Sequence, residues 1–490
     1  MADRKFEKII FFSALCWYAL TAYFSNGYYN TDEHYQIIEF ARFKLGCNLS
    51  SDLAWEFHDE IRASIQPYLA YLLLKIFECI RVLDPYIQTF LLRLITSLLS
   101  ILSISYFAKS CRAYIRPDLW KVFYCLSFFI WFIPWMGVRF SSETYARIFI
   151  IYALALALNE NKNRYSFFCI GLLLGLSFLF RFQMAAMCFG LFLWLIVIGK
   201  ESLRKLTQLL LGFIFIAVIG VILDYRFYGE FVFTPWNYFH SNIVDDVASQ
   251  FGITPWHNYF YKVFRYSYFP IGIAIIVSFV CVMFRKPTNI FVWVTLPFLI
   301  LHSAIPHKEL RFLFPAVSFI PVFLVLFYQD LKFNRSWLKY TAAVFVFIVA
   351  LINIAAIVPA SIKPAGIGNI EIAKYVRDHR KCTENILVTY NGSDPYDPFD
   401  GLKAKFYMEK NIRTEKLSDS LLDSTFDSKC LFLVLNAKDV NDSLAVKFIS
   451  KNELIKTKQS VPEWMTTFLK VYDGFDRKNI LILYEKRTNP

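Results

Sequence analysis

The chain has ten cysteines but no CxxC pair and no Cys/His cluster at metal-ligand spacing. Zinc-finger and dithiol-redox sites are therefore excluded. No Asp-rich metal motif accompanies the charged stretch 307–315. No internal repeat or low-complexity stretch appears, which argues against a transporter built from paired repeats. The net charge is +13, yet no basic stripe with nucleic-acid motifs carries it, and nucleic acid is not the expected partner. The first apolar run, 8–25, has no A-x-A type cleavage site and reads as an uncleaved signal-anchor. What is abundant is apolar surface. Hydrophobic residues make up 57% and aromatics 19%, and mean hydropathy is +0.42. A soluble domain averages roughly 45–50% apolar residues, so a bilayer is the expected solvent.

A membrane span needs about 20 mostly apolar residues. Such windows lie near 8–25, 87–109, 120–137, 143–159, 164–180, 183–199, 206–224, 267–284, 288–304, 311–329 and 338–358. Residues 68–83 are a further apolar stretch. Basic connections decide its placement, because cytoplasmic loops are rich in Lys and Arg. Arg4, Lys5 and Lys8, then Lys109 to Lys121, Lys162 with Arg164, Lys200 to Lys205, Arg285 with Lys286, and Lys332 to Lys339 all fall on one side only if 68–83 does not cross. The expected topology has about eleven spans, with the N-terminus inside and 68–83 in the outer interface. Two long connections then face outward, 26–86 and 225–266, together with the turns at 138–142, Arg181 and 303–310 and everything after 359.

The outward segments hold the ionisable residues. Asp32 and Glu33 follow the first span. A carboxylate at a membrane margin can take a proton from an acceptor hydroxyl, and partial desolvation raises its pKa toward a useful range. The same stretch suits a helix cap, Thr31 or Asp32 ahead of a helix starting at Glu33, and both readings stay open. The stretch 307–315 (HKELRFLFP) sets His307, Lys308, Glu309 and Arg311 before an apolar helix. Lys308 and Arg311, spaced i, i+3, can share a face, and two cations at a helix N-terminus suit a lipid phosphate. An aqueous cap with an internal Glu–Arg pair is the alternative. In 225–266, rings such as Trp236 and Trp256 alternate with Asn237, Asn242 and Asn258; this suits either sugar stacking or an interfacial aromatic belt. Arg139 to Thr144 is either a capped turn or a ligand contact.

The tail changes character. Apolar runs at 385–390, 431–435 and 480–484 alternate with polar connections, as in a small α/β domain. Cys16, Cys111, Cys125, Cys169, Cys188 and Cys281 read as small core residues, while Cys382 and Cys430, both in the tail, are a candidate disulfide. The triplets at Asn48, Asn391 and Asn441 fit glycosylation of an outward face.

In order, the segments TDEHYQ (31–36), EFHDEIRASIQPYL (56–69), VRFSSET (138–144), DYRFYGEFVFTPWNYFHSN (224–242), TPWHNYF (254–260) and HKELRFLFP (307–315) resemble glycosyltransferase family 22. That family belongs to the GT-C superfamily of lipid-linked mannosyltransferases and includes the Alg9-like and GPI-anchor enzymes. The match runs over roughly 8–330. It implies a polytopic α-helical GT-C fold with a transmembrane catalytic domain over 1–360, while the tail, 361–490, shows no family motif and is expected from its own pattern to be a non-cytoplasmic soluble domain. It implies an inverting transfer of mannose from a polyprenyl (dolichyl) phosphate to a glycan or glycolipid acceptor on the lumenal or external face. Neither nucleotide sugar nor obligatory metal is implied. Asp32 matches the family's first-loop acid, with Glu33 assisting. Lys308, Arg311 and His307 would hold the donor phosphate, and Glu309, Arg139, Trp236 and Asn237 would shape the pocket. His34 and the Arg181-Phe182-Gln183 stretch, where a proline often follows the arginine, depart from the pattern and bear on the acceptor. A eukaryotic chain would sit in the endoplasmic reticulum and a bacterial one in the inner membrane. A transferase of another sugar, or a lipid or glycan transporter, is the alternative.

Overall fold

The structure is a computed structural model that describes residues 2–332, 334–380, 382–397, 401–422, 424, 431–468 and 476–486. It divides into two compact units. One comprises Met1–Ala22, Glu56–Leu69 and Arg93–Ser361; the other comprises Tyr23–Trp55, Ala70–Leu92 and Ile362–Pro490.

The first unit is helical. Every apolar window of the sequence carries helix, and among the described residues four helices are long and apolar enough to cross a membrane by length and composition: Pro85–Ser110, Leu203–Tyr228, Leu310–Gln329 and Ser336–Ile362. Phe269–Arg285 and Ile290–Ala304 form a pair bent by 117°. Several other apolar helices, such as Ser166–Phe180 and Ala185–Val197, are shorter than a full span. Helix Leu203–Tyr228 shows how a lipid-facing helix is made. Leu206, Leu209, Gly212, Ile216, Gly220, Asp224 and Phe227 are buried at three- and four-residue spacing. Leu210, Leu211, Ile214, Phe215, Val218 and Ile222 face outward. Without a hydrophobic drive between helices in lipid, small residues set the close contacts. Gly171 and Gly175 on Ser166–Phe180 meet this buried stripe at backbone range. A Cβ at Gly171 would lie 2.0 Å from the Leu209 carbonyl oxygen, and one at Gly212 would lie 2.3 Å from that of Phe168. Gly171→Val is therefore expected to force the two helices apart, at a cost of at least about 1–3 kcal/mol. Thermal unfolding of the detergent-solubilised chain checks this, and an unchanged midpoint would exclude the backbone contact.

The second unit carries a five-stranded sheet in the order β2-β1-β3-β5-β4, formed by β1 (Asn385–Thr389), β2 (Ile412–Lys416), β3 (Leu431–Asn436), β4 (Leu454–Gln459) and β5 (Leu481–Lys486). β1 pairs in parallel with β2 and β3, while β5 pairs antiparallel with β3 and β4. Central β3 is buried at every position, as expected for a strand covered on both faces. Its side chains pack with Val388, Ala445, Phe448, Leu454 and Ile482. Asn26, from the other end of the chain, docks here: its amide donates to Glu371 at 3.0 Å and its carbonyl accepts from Ala365 N–H at 2.9 Å.

Two sequence expectations change. Cys16 is exposed on helix Ala2–Phe24 rather than in the core, whereas Cys111 and Cys188 are buried. Asn48 is buried, not displayed for glycosylation; its amide donates to Glu39 Oε2 at 2.6 Å. Cys382 is disulfide-bonded, and Cys430 lies outside the described residues.

Candidate active site

In the second unit, Asn30 caps the helix Thr31–His34, its side chain accepting from Asp32 N–H at 3.1 Å. The helix thus starts two residues before Glu33, and the capping atom comes from Asn30 rather than Thr31 or Asp32. The Asp32 carboxylate is half-buried, with Thr31 Oγ1 3.4 Å from its Oδ1. Glu33 folds back, and its Oε2 accepts from Tyr29 N–H at 2.6 Å. Capping by Asn30 and Glu33 together fixes the entry turn.

The next five residues, Tyr35–Glu39, form a π-helical turn, a wide turn that recurs at functional sites. It aims Glu39 inward. His34 Nε2 lies 2.8 Å from Glu39 Oε1, and Phe406 N–H donates to the same oxygen at 2.9 Å. Burial pushes the Glu39 carboxyl up, but His34, Phe406 N–H and Asn48 together hold it below the usual carboxylate range. The His34 ring is sandwiched between Tyr28 and Tyr407, with centroids 5.0 and 5.3 Å away. Lys405 pairs with Asp52 at 2.6 Å. The tail segment 405–407 thus grips the loop that bears Asp32. The spacing of 367 residues between Glu39 and Phe406 left no local signal of this in the sequence.

In the first unit, residues 307–309 carry no regular secondary structure, Glu309 is extended, and the helix begins at Leu310 in 3₁₀ form. Lys308 precedes that helix, so helical spacing does not place it beside Arg311. Its ammonium is buried and donates to the carbonyls of Ile305 at 2.6 Å, Thr254 at 2.9 Å and Pro306 at 3.5 Å. Burial and the nearby Lys262 lower its pKa. Arg311 is gripped in bidentate fashion by Glu309, at 2.6 and 3.1 Å, and His307 Nε2 lies 3.0 Å from the same carboxylate. The internal Glu–Arg pair is therefore present.

A second arginine joins them. Arg181 ends the helix Ser166–Phe180 in extended backbone. Its Nη1 donates to Glu143 Oε1 at 2.7 Å, and Arg311 Nη1 lies 3.7 Å from that oxygen. Both guanidiniums sit against the Phe312 ring, 4.9 and 5.2 Å from its centroid. Ser141 caps the helix Ser142–Leu158 and so places Glu143 in its first turn. The Tyr259 hydroxyl is also buried; burial raises its pKa and the fields of Arg181 and Arg311 draw it back. Arg181 Nε, Tyr259 Oη and His302 Nε2 are buried and have no hydrogen-bond partner among the described residues. Arg181 and Glu143 carried a sequence signal as charges at span margins. Tyr259 lay in the TPWHNYF stretch (254–260), which gave it no role, and His302 carried no signal beyond its type.

Arg139 is buried. Trp236 is 55% exposed and its ring faces outward, with Phe231 and Trp256, as a membrane belt would. The Asn237 amide donates to the Glu60 carbonyl at 3.4 Å. Asp224 closes the buried stripe of its helix by accepting from Ser64 N–H and Oγ at 2.7 and 2.6 Å and from Thr234 Oγ1 at 2.6 Å. This joins the segment 56–69 to the start of the 225–266 loop.

These units define an integral membrane protein of the fold seen in ArnT from Cupriavidus metallidurans. The undecaprenyl-phosphate-bound form of that protein superposes with a TM-score of 0.56 at 12% identity, covering 97% of each chain. Its apo form gives 0.51 at 10% identity, covering 99% of this chain and 98% of the other. Residues 10–389 match the model of the Alg9-like mannosyltransferase family, and the chain belongs to that family. It is similar to GPI alpha-1,2-mannosyltransferase 3 of Danio rerio, 24% identical over 64% of this chain and 57% of the relative. Mannosyltransferase APTG1 of Arabidopsis thaliana is 26% identical over 67% of this chain and 60% of the relative. The chain thus spans less than two thirds of the length of these curated relatives.

Proposed function

We propose that this protein moves a mannose from a polyprenyl-phosphate carrier, dolichyl phosphate in a eukaryotic membrane, to a hydroxyl of a glycan or glycolipid on the lumenal or external face. The observation that carries the reading is the buried arginine pair, Arg181 and Arg311, set on one ring in a chain of this family. In the reaction the acceptor oxygen attacks the anomeric carbon, the bond from that carbon to the phosphate oxygen breaks, and the acceptor proton passes to a carboxylate. Asp32 is the proposed base and Glu33 orients its turn. The departing phosphate gains one negative charge as the bond breaks, and fixed cations beside it lower the barrier. His307, Lys308, Glu309 and Arg311 form the donor turn, Arg139 and Asn237 belong to the sugar and acceptor side, and the exposed Trp236 meets the membrane interface. The reading requires no nucleotide sugar and no metal, because the arginines supply the positive charge. Support comes from the relatives, named as GPI mannosyltransferases, and from ArnT, whose structure holds undecaprenyl phosphate. Membranes containing the chain should transfer label from polyprenyl-phosphate [³H]mannose to a GPI precursor or a lipid-linked oligosaccharide. Transfer from labelled nucleotide-mannose in the absence of any polyprenyl phosphate would overturn the proposal.

A further inference from the structure

We propose that Arg181, and not Lys308, is the second cation on the donor's phosphate beside Arg311, with the Tyr259 hydroxyl as a third donor and Glu309 as the anion that the phosphate displaces. The inference rests on the polyprenyl-phosphate reading above and assigns the residues of that same site.

Lys308 has no hydrogen left to offer. An ammonium has three donors, and here three carbonyls take them, from Ile305, Thr254 and Pro306. Its own carbonyl accepts from Lys262 Nζ at 2.5 Å. Lys308 is thus a pin that ties the 254 turn to the 305–308 turn, and moving it onto a phosphate would leave those carbonyls bare.

Arg181 is the opposite case. It is 6% exposed, Glu143 and Ser142 Oγ take one of its terminal nitrogens, and its Nε is buried with no partner among the described residues. Leaving a buried donor unpaired costs about 1–3 kcal/mol. Burying an incompletely bonded guanidinium in a membrane protein is costlier still, and such residues mark functional sites. The Tyr259 hydroxyl shares this condition and lies in the field of Arg181 and Arg311. The open donors therefore point to an anion with several acceptor oxygens. A phosphate has them, and a planar guanidinium fits it better than an ammonium does.

In this structure the two guanidiniums are balanced by Glu143 and Glu309. The two carboxylates differ. The Glu143 side chain is 5% exposed and clamps Arg181, whereas that of Glu309 is 30% exposed and has His307 as a second partner. When a phosphate arrives, Glu309 can leave Arg311 and keep His307, while Glu143 stays and orients Arg181.

The test is the affinity of purified full-length protein in nanodiscs for undecaprenyl phosphate, with undecaprenol as the uncharged control. Arg181→Gln is expected to weaken phosphate binding by about 10- to 100-fold and to leave undecaprenol binding unchanged. Tyr259→Phe, which removes one oxygen, should weaken it by about 3- to 10-fold. Lys308→Met should lower the melting temperature but change phosphate affinity by less than threefold. Glu309→Gln should tighten phosphate binding at least threefold, because its competing charge is gone; a residue that served folding alone would not do so. The assignment is overturned if Arg181→Gln and Tyr259→Phe both bind like wild type, or if Lys308→Met loses phosphate selectively. Should Arg181→Gln not fold, Tyr259→Phe and Glu309→Gln decide the matter by the same criteria. A wild-type protein that holds undecaprenyl phosphate no better than undecaprenol would instead overturn the donor reading itself.

Discussion

The Asp32→Asn variant is expected to insert and fold normally and to lose mannosyl transfer by about 10²- to 10⁴-fold, the range that a positioned general base contributes. The local structure explains why folding should survive. The helix Thr31–His34 uses the backbone N–H of Asp32, bonded to Asn30, rather than its carboxylate. Glu33, not Asp32, closes the capping turn through Tyr29 N–H. An amide of the same shape therefore removes the proton acceptor and leaves the turn intact. Turnover measured with labelled polyprenyl-phosphate mannose, beside the melting temperature of the same preparation, separates chemistry from stability. Activity within a few-fold of wild type would end the assignment of Asp32 as base. Activity lost together with the melting transition would make it a structural residue.

A different failure is expected from Glu39→Ala. This carboxylate is 1% exposed and takes hydrogen bonds from His34, Asn48 and Phe406 N–H. Its removal leaves those groups buried and unanswered, and each buried polar group left unpaired costs about 1–3 kcal/mol. The loss should appear as lower thermal stability and as protease sensitivity of both the 30–50 loop and the 402–407 segment. The network also sets a pH dependence. The folded-state pKa of Glu39 lies below its ordinary value of 4.5, so the carboxylate binds protons less readily when folded than when unfolded. Its stabilisation is therefore complete above about pH 4.5 and fades as pH falls through the lowered folded value. Glu39→Gln should flatten that acid limb relative to wild type. An unaltered limb would mean that another carboxylate controls it.

Much of this molecule was legible in the residues because lipid enforces a simple rule. Each apolar window became helix, and the three apolar tail runs became β1, β3 and β5, the buried strands. The strands at the sheet edges were not legible. β2 reads IRTEK and β4 reads LIKTKQ, since an edge strand needs little apolar surface and carries charges that discourage further pairing. Charge at span margins singled out Asp32 in the second unit and Glu143, Arg311 and the 307–309 turn in the first. Spacing alone set Lys308 beside Arg311 on a helix that begins only at Leu310, whereas its ammonium holds the carbonyls of Ile305 and Pro306 just before it and of Thr254, 54 residues back. The grip of Phe406 on Glu39, and that of Asp224 on Ser64, join residues far apart along the chain. A single sequence holds no trace of such pairings until the fold brings them together.

The bond between Glu39 and Phe406 has a consequence for biogenesis. Its halves are 367 residues apart, and at about 5–20 residues per second a ribosome needs about 20 to 70 s to make the intervening chain. During that interval the acidic side chain waits without its amide donor, and His34 waits without the Tyr407 ring. Loop and tail thus mature together and late. Nascent chains stalled before the tail should present the 30–50 region to chaperones and quality-control proteases even after the early helices have been inserted.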